Sequence, residues 1–281
     1  MWGKKKSQKT QTNSRARTRL VIRRRKMRLV LFAILICLLI PIYIGFAWLS
    51  YHPKLNIQTI QVQGVNELRE ETIQFFIESQ LDDGVVHLFS TKNELFLNRN
   101  ALVTGLIDKF PRVKSVKIPF TKFSQKLIVY LEERTPEFLW CDNNEDNEKC
   151  YVVDENGYIF ASYDIESSND YIILRSKLVS ENILRATVTS TKNFENLKLV
   201  FKLIKNNLEL NVASVDIDDS DGYVYLDSGL FVKVDLNFDI NNQISNLETI
   251  LDSNELKNSK ESIEYIDLRF NNRVYYKLHG E

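Results

Sequence analysis

The sequence predicts an α+β protein: an N-terminal membrane helix, a small domain of order β-α-α-β-β, and a mixed β-rich domain with two or more helices. Three observations carry this expectation. An uncharged apolar run follows a densely basic start. Beyond it, apolar residues recur at helical spacing in only a few segments. Short β-branched and aromatic runs, parted by turn residues, account for most of the remainder.

The chain carries 37 basic and 37 acidic residues, but the balance hides a division. Met1 to Arg28 holds twelve Lys and Arg and no Asp or Glu; without them 25 basic face 37 acidic residues, a charge of −12. Leu29 to Leu49 follows, twenty-one residues without a charge, fourteen of them Leu, Ile, Val or Phe. At 1.5 Å per residue such a helix reaches roughly 30 Å, the thickness of a hydrocarbon core. Those fourteen side chains favour insertion by about 4–8 kcal/mol before the polar positions are set against them. Pro41 is tolerated in a lipid-embedded helix. Tyr43, Trp48 and Tyr51 gather at the far end, where amphipathic rings favour the interface. Positive charge immediately before the helix keeps the N-terminus inside, so residues after Ser50 are expected to cross. A cleaved signal peptide is the competing reading, with a shorter apolar core and small residues before the cut; here the exit is Ala47-Trp48-Leu49-Ser50. The basic tail has no interleaved aromatic residue for base stacking, Trp2 being its only one, so anionic lipid is its expected partner and nucleic acid is not.

The expected organisation is a basic cytoplasmic tail over residues 1–28, a membrane helix over 29–50, a first outer domain over 54–133 and a β-rich domain over 134–281. Ile57, Ile60, Val62 and Val65 predict a strand ending near Gly64. Glu70 to Leu81 has helical spacing through Ile73, Phe76, Ile77 and Gln80, with acidic residues in its first turn. A second helix spans Arg99 to Phe110 and stops at Pro111. Val113 to Phe120 and Lys126 to Glu133 then read as paired strands, the latter alternating through Leu127, Val129 and Leu131.

Beyond Thr135 the strands are short: Phe138 to Trp140, Tyr151 to Val153 and Tyr158 to Ala161, with Asp154-Glu155-Asn156-Gly157 as a turn. An amphipathic helix covers Asn193 to Leu208, with Phe194, Leu197, Phe201, Ile204 and Leu208 on one stripe. Strands follow at Val212 to Asp218, Gly222 to Leu226 and Leu230 to Leu236. In the last, Leu230, Val232, Val234 and Leu236 point one way, Phe231, Lys233 and Asp235 the other. A helix over Asn242 to Leu251 leads to two final strands, Ile263 to Phe270 and Arg273 to Leu278. Asn271-Asn272 is read as their tight turn, because Asn tolerates positive φ.

Catalytic signatures are absent: no Gly-rich phosphate loop, G-x-S-x-G, H-E-x-x-H or C-x-x-C occurs. No enzyme, cofactor or metal is therefore expected. His52, His87 and His279 lie far apart. Asp216, Asp218, Asp219 and Asp221 precede Gly222, but an EF-hand loop needs glycine sixth, and from Asp216 it falls seventh. Cys141 and Cys150 bracket an acidic loop and are a candidate disulfide, with two free thiols as the alternative; Cys37 lies in the membrane segment.

Several stretches together resemble the FtsQ/DivIB family of bacterial cell-division proteins over essentially the whole chain. Beside the basic tail and single membrane helix, these are Ile60-Gln61-Val62-Gln63-Gly64-Val65, Phe110-Pro111-Arg112-Val113-Lys114-Ser115-Val116, Leu131-Glu132-Glu133-Arg134-Thr135-Pro136 and Val153-Asp154-Glu155-Asn156-Gly157-Tyr158-Ile159-Phe160. The longest is Tyr265-Ile266-Asp267-Leu268-Arg269-Phe270-Asn271-Asn272-Arg273-Val274-Tyr275-Tyr276-Lys277. Departures are a longer stretch near Asn93 to Asn100, the Cys141–Cys150 loop, and almost no tail after Leu278. The resemblance implies that the first outer domain is POTRA-like. It implies a scaffold at the division septum that binds FtsB/DivIC-like and FtsL-like partners. The last strand would be the partner edge, which carries over to Arg269, Phe270, Asn272, Val274 and Tyr276.

Elementary energetics agree with such an edge. Five or six backbone hydrogen bonds to an added strand give roughly 5–6 kcal/mol. Association costs on the order of 4–15 kcal/mol, so side-chain anchors must contribute. Phe270, Tyr275 and Tyr276 are the available aromatics; Ile266, Leu268 and Val274 read instead as core-facing. A POTRA-bearing chaperone or assembly factor for exported proteins is the alternative function.

Overall fold

The computed structural model describes residues 12–82, 89–120, 125–142, 149–163, 171–178, 182–253, 263–270 and 273–279. The protein is α+β. Helix α1 (Thr12–Ser50) is continuous, with Pro41 inside it, and begins well within the basic segment. Its stretch Arg25–Ser50 is long and apolar enough to cross a membrane, and almost all its side chains face outward; a signal sequence meets the same test.

After a 3-10 turn (Pro53–Leu55) come β1 (Thr59–Gln63), α2 (Glu70–Asp82), α3 (Arg99–Lys109), β2 (Val113–Lys117) and β3 (Lys126–Glu133). The three strands form one sheet in the order β1-β3-β2. Pro111 ends α3, as its missing N–H requires, and Leu127, Val129 and Leu131 of β3 are buried between more open neighbours. Gly64 has φ +89°, and a Cβ there would lie 2.0 Å from the Leu131 carbonyl oxygen, so only glycine fits.

Among the described residues the second sheet has nine strands. They are β4 (Phe138–Cys141), β5 (Cys150–Val153), β6 (Ile159–Ser162), β7 (Ile172–Ser176), β8 (Val212–Asp218), β9 (Asp221–Leu226), β10 (Phe231–Asp235), β11 (Ile263–Asp267) and β12 (Tyr275–Leu278). Their order is β12-β11-β10-β9-β8-β7-β4-β5-β6. Pairing is mixed: β4–β7, β7–β8 and β10–β11 are parallel, the others antiparallel. Helices α4 (Thr191–Leu208) and α5 (Ile240–Leu251) supply Phe194, Leu197, Ile204, Ile244 and Leu247 to its main core, against Val215, Val224, Val232, Val234 and Ile266. Ser190 and Asp239 cap these helices, each accepting from a backbone N–H of the first turn. Gln243, 5% exposed, accepts from Asp235 N–H at 2.9 Å and donates to its carbonyl at 2.8 Å, so α5 closes the end of β10 as another strand would.

The chain falls into two compact units. Met1–Gln63, Glu70–Leu102 and Ile118–Val129 make the first; Gly64–Arg69, Val103–Lys117 and Tyr130–Glu281 make the second. The division passes within β3.

Two expectations are corrected. β7 was not foreseen; it lies between two parallel partners, β4 and β8. The closing strands are also shorter than expected. β11 stops at Asp267 and β12 starts at Tyr275, and between them Arg273 N–H donates to the Phe270 carbonyl at 3.4 Å. Asn271 and Asn272 lie outside the described residues, as does His87.

Candidate docking edge

The last strand stands at the end of the nine-stranded sheet. β12 pairs with β11 through Asp267↔Tyr275, Ile266↔Tyr276, Tyr265↔Lys277 and Ile263↔Leu278, with an irregularity between Ile263 and Tyr265. Among the described residues no strand covers its other side. Val274 and Leu278 pack against the core and fix the strand's inner face. Tyr275 and Tyr276 are 47% and 41% exposed, and Phe270 is 48% exposed. Phe270 meets Tyr275 edge to face, with ring centroids 5.1 Å apart, so the two form one aromatic surface beside the open edge. Lys277 on β12 donates to Glu264 on β11 at 2.7 Å. That hydrogen bond holds the Glu264 carboxyl below its usual range and the Lys277 ammonium above its own.

Arg269 is placed differently from these residues. Its Nε donates to Asp267 Oδ1 at 2.9 Å, Nη2 to Asp267 Oδ2 at 2.7 Å, and Nη1 to Asp221 Oδ2 at 2.5 Å. Its backbone N–H also donates to Asp267 Oδ1, at 3.2 Å. Asp221 begins β9, so the guanidinium reaches past β10 and ties the end of β11 to a strand two places inward. Burial pushes the Asp267 carboxyl upward, but the hydrogen bonds and charge of Arg269 outweigh it and leave the group below the usual carboxylate range. The Arg269 guanidinium is raised beyond its already high value, first by its hydrogen bond to Asp267. Arg269 thus organises the edge from within, while Phe270, Tyr275 and Tyr276 are exposed. Asn272 lies outside the described residues.

Sequence reasoning missed the acidic partners Asp221 and Asp267, and an aromatic row across the neighbouring strands. Tyr225 stacks on Phe231 at 4.8 Å, Phe231 approaches Tyr265 at 6.3 Å, and Lys233 Nζ lies 4.1 Å from the centre of the Tyr265 ring. The signal was the two-residue spacing of Tyr223 and Tyr225 and of Phe231 and Lys233, which places each pair on one face.

At the other end of the sheet, Cys141 and Cys150 are opposite one another in β4–β5 and joined as a disulfide. At the opposite end of the β4–β5 pair, Arg134 donates to Asp154, whose side chain is fully buried, at 2.5 Å, and to the Pro111 carbonyl at 3.2 Å. The Arg134 guanidinium also lies 4.0 Å from the centre of the Tyr158 ring. Asp154 Oδ1 accepts from Asn156 and Tyr158 N–H, and Gly157 takes φ +79° beneath Phe194, which shapes the turn. Among the described residues no group of His, Cys, Asp or Glu is arranged to hold a metal. The acidic residues near Gly222 are otherwise engaged: Asp216 pairs with Arg175 and Tyr225, and Asp221 with Arg269.

The chain matches no protein-family model and no curated protein. The geometry of the edge therefore carries the functional reading.

Proposed function

We propose that this chain is a bitopic membrane scaffold of the FtsQ/DivIB type, which receives a strand from an FtsB/DivIC-like or FtsL-like partner on β12 and so supports assembly of the division septum. The single observation that carries the reading is the open side of β12, flanked by exposed Phe270, Tyr275 and Tyr276. An open edge offers backbone donors and acceptors to an incoming strand, and rigid aromatics beside it add the anchoring that backbone pairing alone lacks. The work is docking rather than catalysis. The POTRA reading of residues 54–133 is supported by the β-α-α-β-β order and the three-stranded sheet.

The N-terminus is cytoplasmic and the region after Ser50 lies outside, with the basic tail against anionic lipid. The Cys141–Cys150 disulfide supports the outer placement, since such bonds persist in oxidising compartments. Retention of α1 is supported at its end. Phe89 meets Tyr43 of the helix edge to face at 5.4 Å, a contact that cutting the helix away would remove.

The test is capture of FtsB/DivIC-like and FtsL-like outer segments by the full chain in lipid nanodiscs. Successive residues of a strand direct their N–H groups to opposite sides, so proline at Tyr275 and at Tyr276, one at a time, removes one outward and one inward donor. The outward substitution should abolish capture with near-UV circular dichroism unchanged. Full capture by both proline variants and by a Phe270→Ala/Tyr275→Ala variant would reject the edge.

A further inference from the structure

The segment after α2 is built inside out. Asn93 and Glu94 are 1% and 4% exposed, whereas the adjacent Leu95 and Phe96 are 58% and 49% exposed. In water the polar pair would face solvent and the apolar pair would not. The inward residues are held by specific bonds. Asn93 Nδ2 donates to the Ser50 carbonyl at 3.1 Å, and Asn93 Oδ1 accepts from Leu95 N–H at 3.0 Å. Glu94 pairs with Arg99 at 3.5 Å. Ser90 N–H donates to Ser50 Oγ at 3.1 Å.

These bonds attach the segment to the last turn of α1, and an aromatic chain continues along that helix. Phe96 packs on Phe89 with centroids 5.0 Å apart, and Phe89 meets Tyr43 edge to face at 5.4 Å. Tyr43 lies seven residues before Ser50, about 10 Å back along the helix. The segment therefore runs alongside the end of the apolar helix.

We propose that Phe89, Leu95 and Phe96 form a second membrane contact, a wedge seated in the outer-leaflet interface of a phospholipid bilayer beside α1. The proposal rests on the reading of α1 as a retained membrane span. With α1 in the bilayer, contact with Tyr43 brings Phe89 to the same depth. The outward Leu95 and Phe96 then continue the apolar surface that α1 already presents. Aromatic side chains are favoured in that layer. The occupant is lipid because the patch is continuous with a lipid-facing helix.

The experiment uses the full chain with Cys37→Ser. Cys141 and Cys150 are bonded to each other, so one introduced cysteine carries the label. An environment-sensitive fluorophore is placed singly at Leu95→Cys, at Ile44→Cys in α1, and at the 74% exposed Phe75→Cys in α2. The proteins are reconstituted in phosphatidylcholine–phosphatidylglycerol vesicles and quenched by acyl-chain nitroxide or by aqueous iodide. The expected result is loss of half or more of the emission to nitroxide at Ile44 and Leu95, with Phe75 quenched by iodide alone. Nitroxide quenching at Ile44 with a water-exposed Leu95 label overturns the wedge and leaves the span standing. Water-exposed labels at both positions overturn the span and the wedge together.

Discussion

Arg269 lays its guanidinium fork on the carboxylate of Asp267, only two residues earlier, with Nε and Nη2 at 2.9 and 2.7 Å from its two oxygens. Asp267 is 8% exposed in its side chain and Arg269 25% exposed. A paired acceptor sunk this far depends on its donor. Arg269→Ala should lower unfolding free energy by about 1.5–3 kcal/mol, the range for hydrogen bonds to a charged group. Arg269→Lys should recover only part, because an ammonium cannot reproduce the fork. Urea midpoints of the three proteins check both.

The same pair predicts an acid response. Because the folded Asp267 carboxyl sits below its unfolded value, its contribution is complete above the usual carboxylate range. It is lost as pH falls through the lowered folded value. In Arg269→Ala the side-chain bonds and charge are lost while the backbone N–H of residue 269 and the charge of Lys233 remain, so burial is less opposed, the carboxyl rises, and the variant should begin to lose stability at a higher pH than the parent. Thermal melting between about pH 7 and about pH 3 would show this displacement.

At the edge itself, binding and stability should separate. Phe270 and Tyr275 are about half exposed, so Phe270→Ala and Tyr275→Ala should each shift stability by no more than about 0.5 kcal/mol. Each should weaken partner binding by about tenfold or more if the aromatics anchor the added strand. Calorimetric titration beside a denaturation curve measures both.

Arg134 presents the strongest structural case. Its Asp154 partner is fully buried, so Arg134→Ala leaves a buried charge without its cation and should cost about 3–5 kcal/mol. Denaturant unfolding of Arg134→Ala beside Asp154→Asn tests it. The asparagine keeps a carbonyl for the Asn156 and Tyr158 N–H groups and should be the milder change.

Reduction should destabilise the β4–β5 end. Loop-closure entropy for a sequence separation of nine gives about 2–3 kcal/mol. Urea unfolding with and without reductant, monitored at Trp140 beside the bond, provides the value.

Much of the fold could be read from period alone. The stripe Phe194, Leu197, Ile204 is the buried face of α4, and the alternation of Leu230, Val232, Val234 and Leu236 is the buried face of β10. β7 escaped because Ile172-Ile173-Leu174 has no alternation, and its partners, Phe138–Trp140 and Ser214–Ile217, lie far off in the chain. The edge strand and its aromatics were likewise legible as a terminal β-run. The role of Arg269 was not, since Asp221 lies 48 residues away, and a motif cannot say whether a guanidinium turns inward or outward. The bonds from Ser90 and Asn93 to Ser50 span 40 and 43 residues and left no local pattern either.

The reach of Arg269 to Asp221 has a mechanical corollary. The seam between β10 and β11 has three paired positions, against five between β9 and β10, so the β11–β12 hairpin hangs from the sheet by a short join. The guanidinium bridges that join like a stitch across a narrow hem. In amide hydrogen exchange the hairpin should behave as its own opening unit, slowed by the stitch and slowed again when a guest strand seats on its rim.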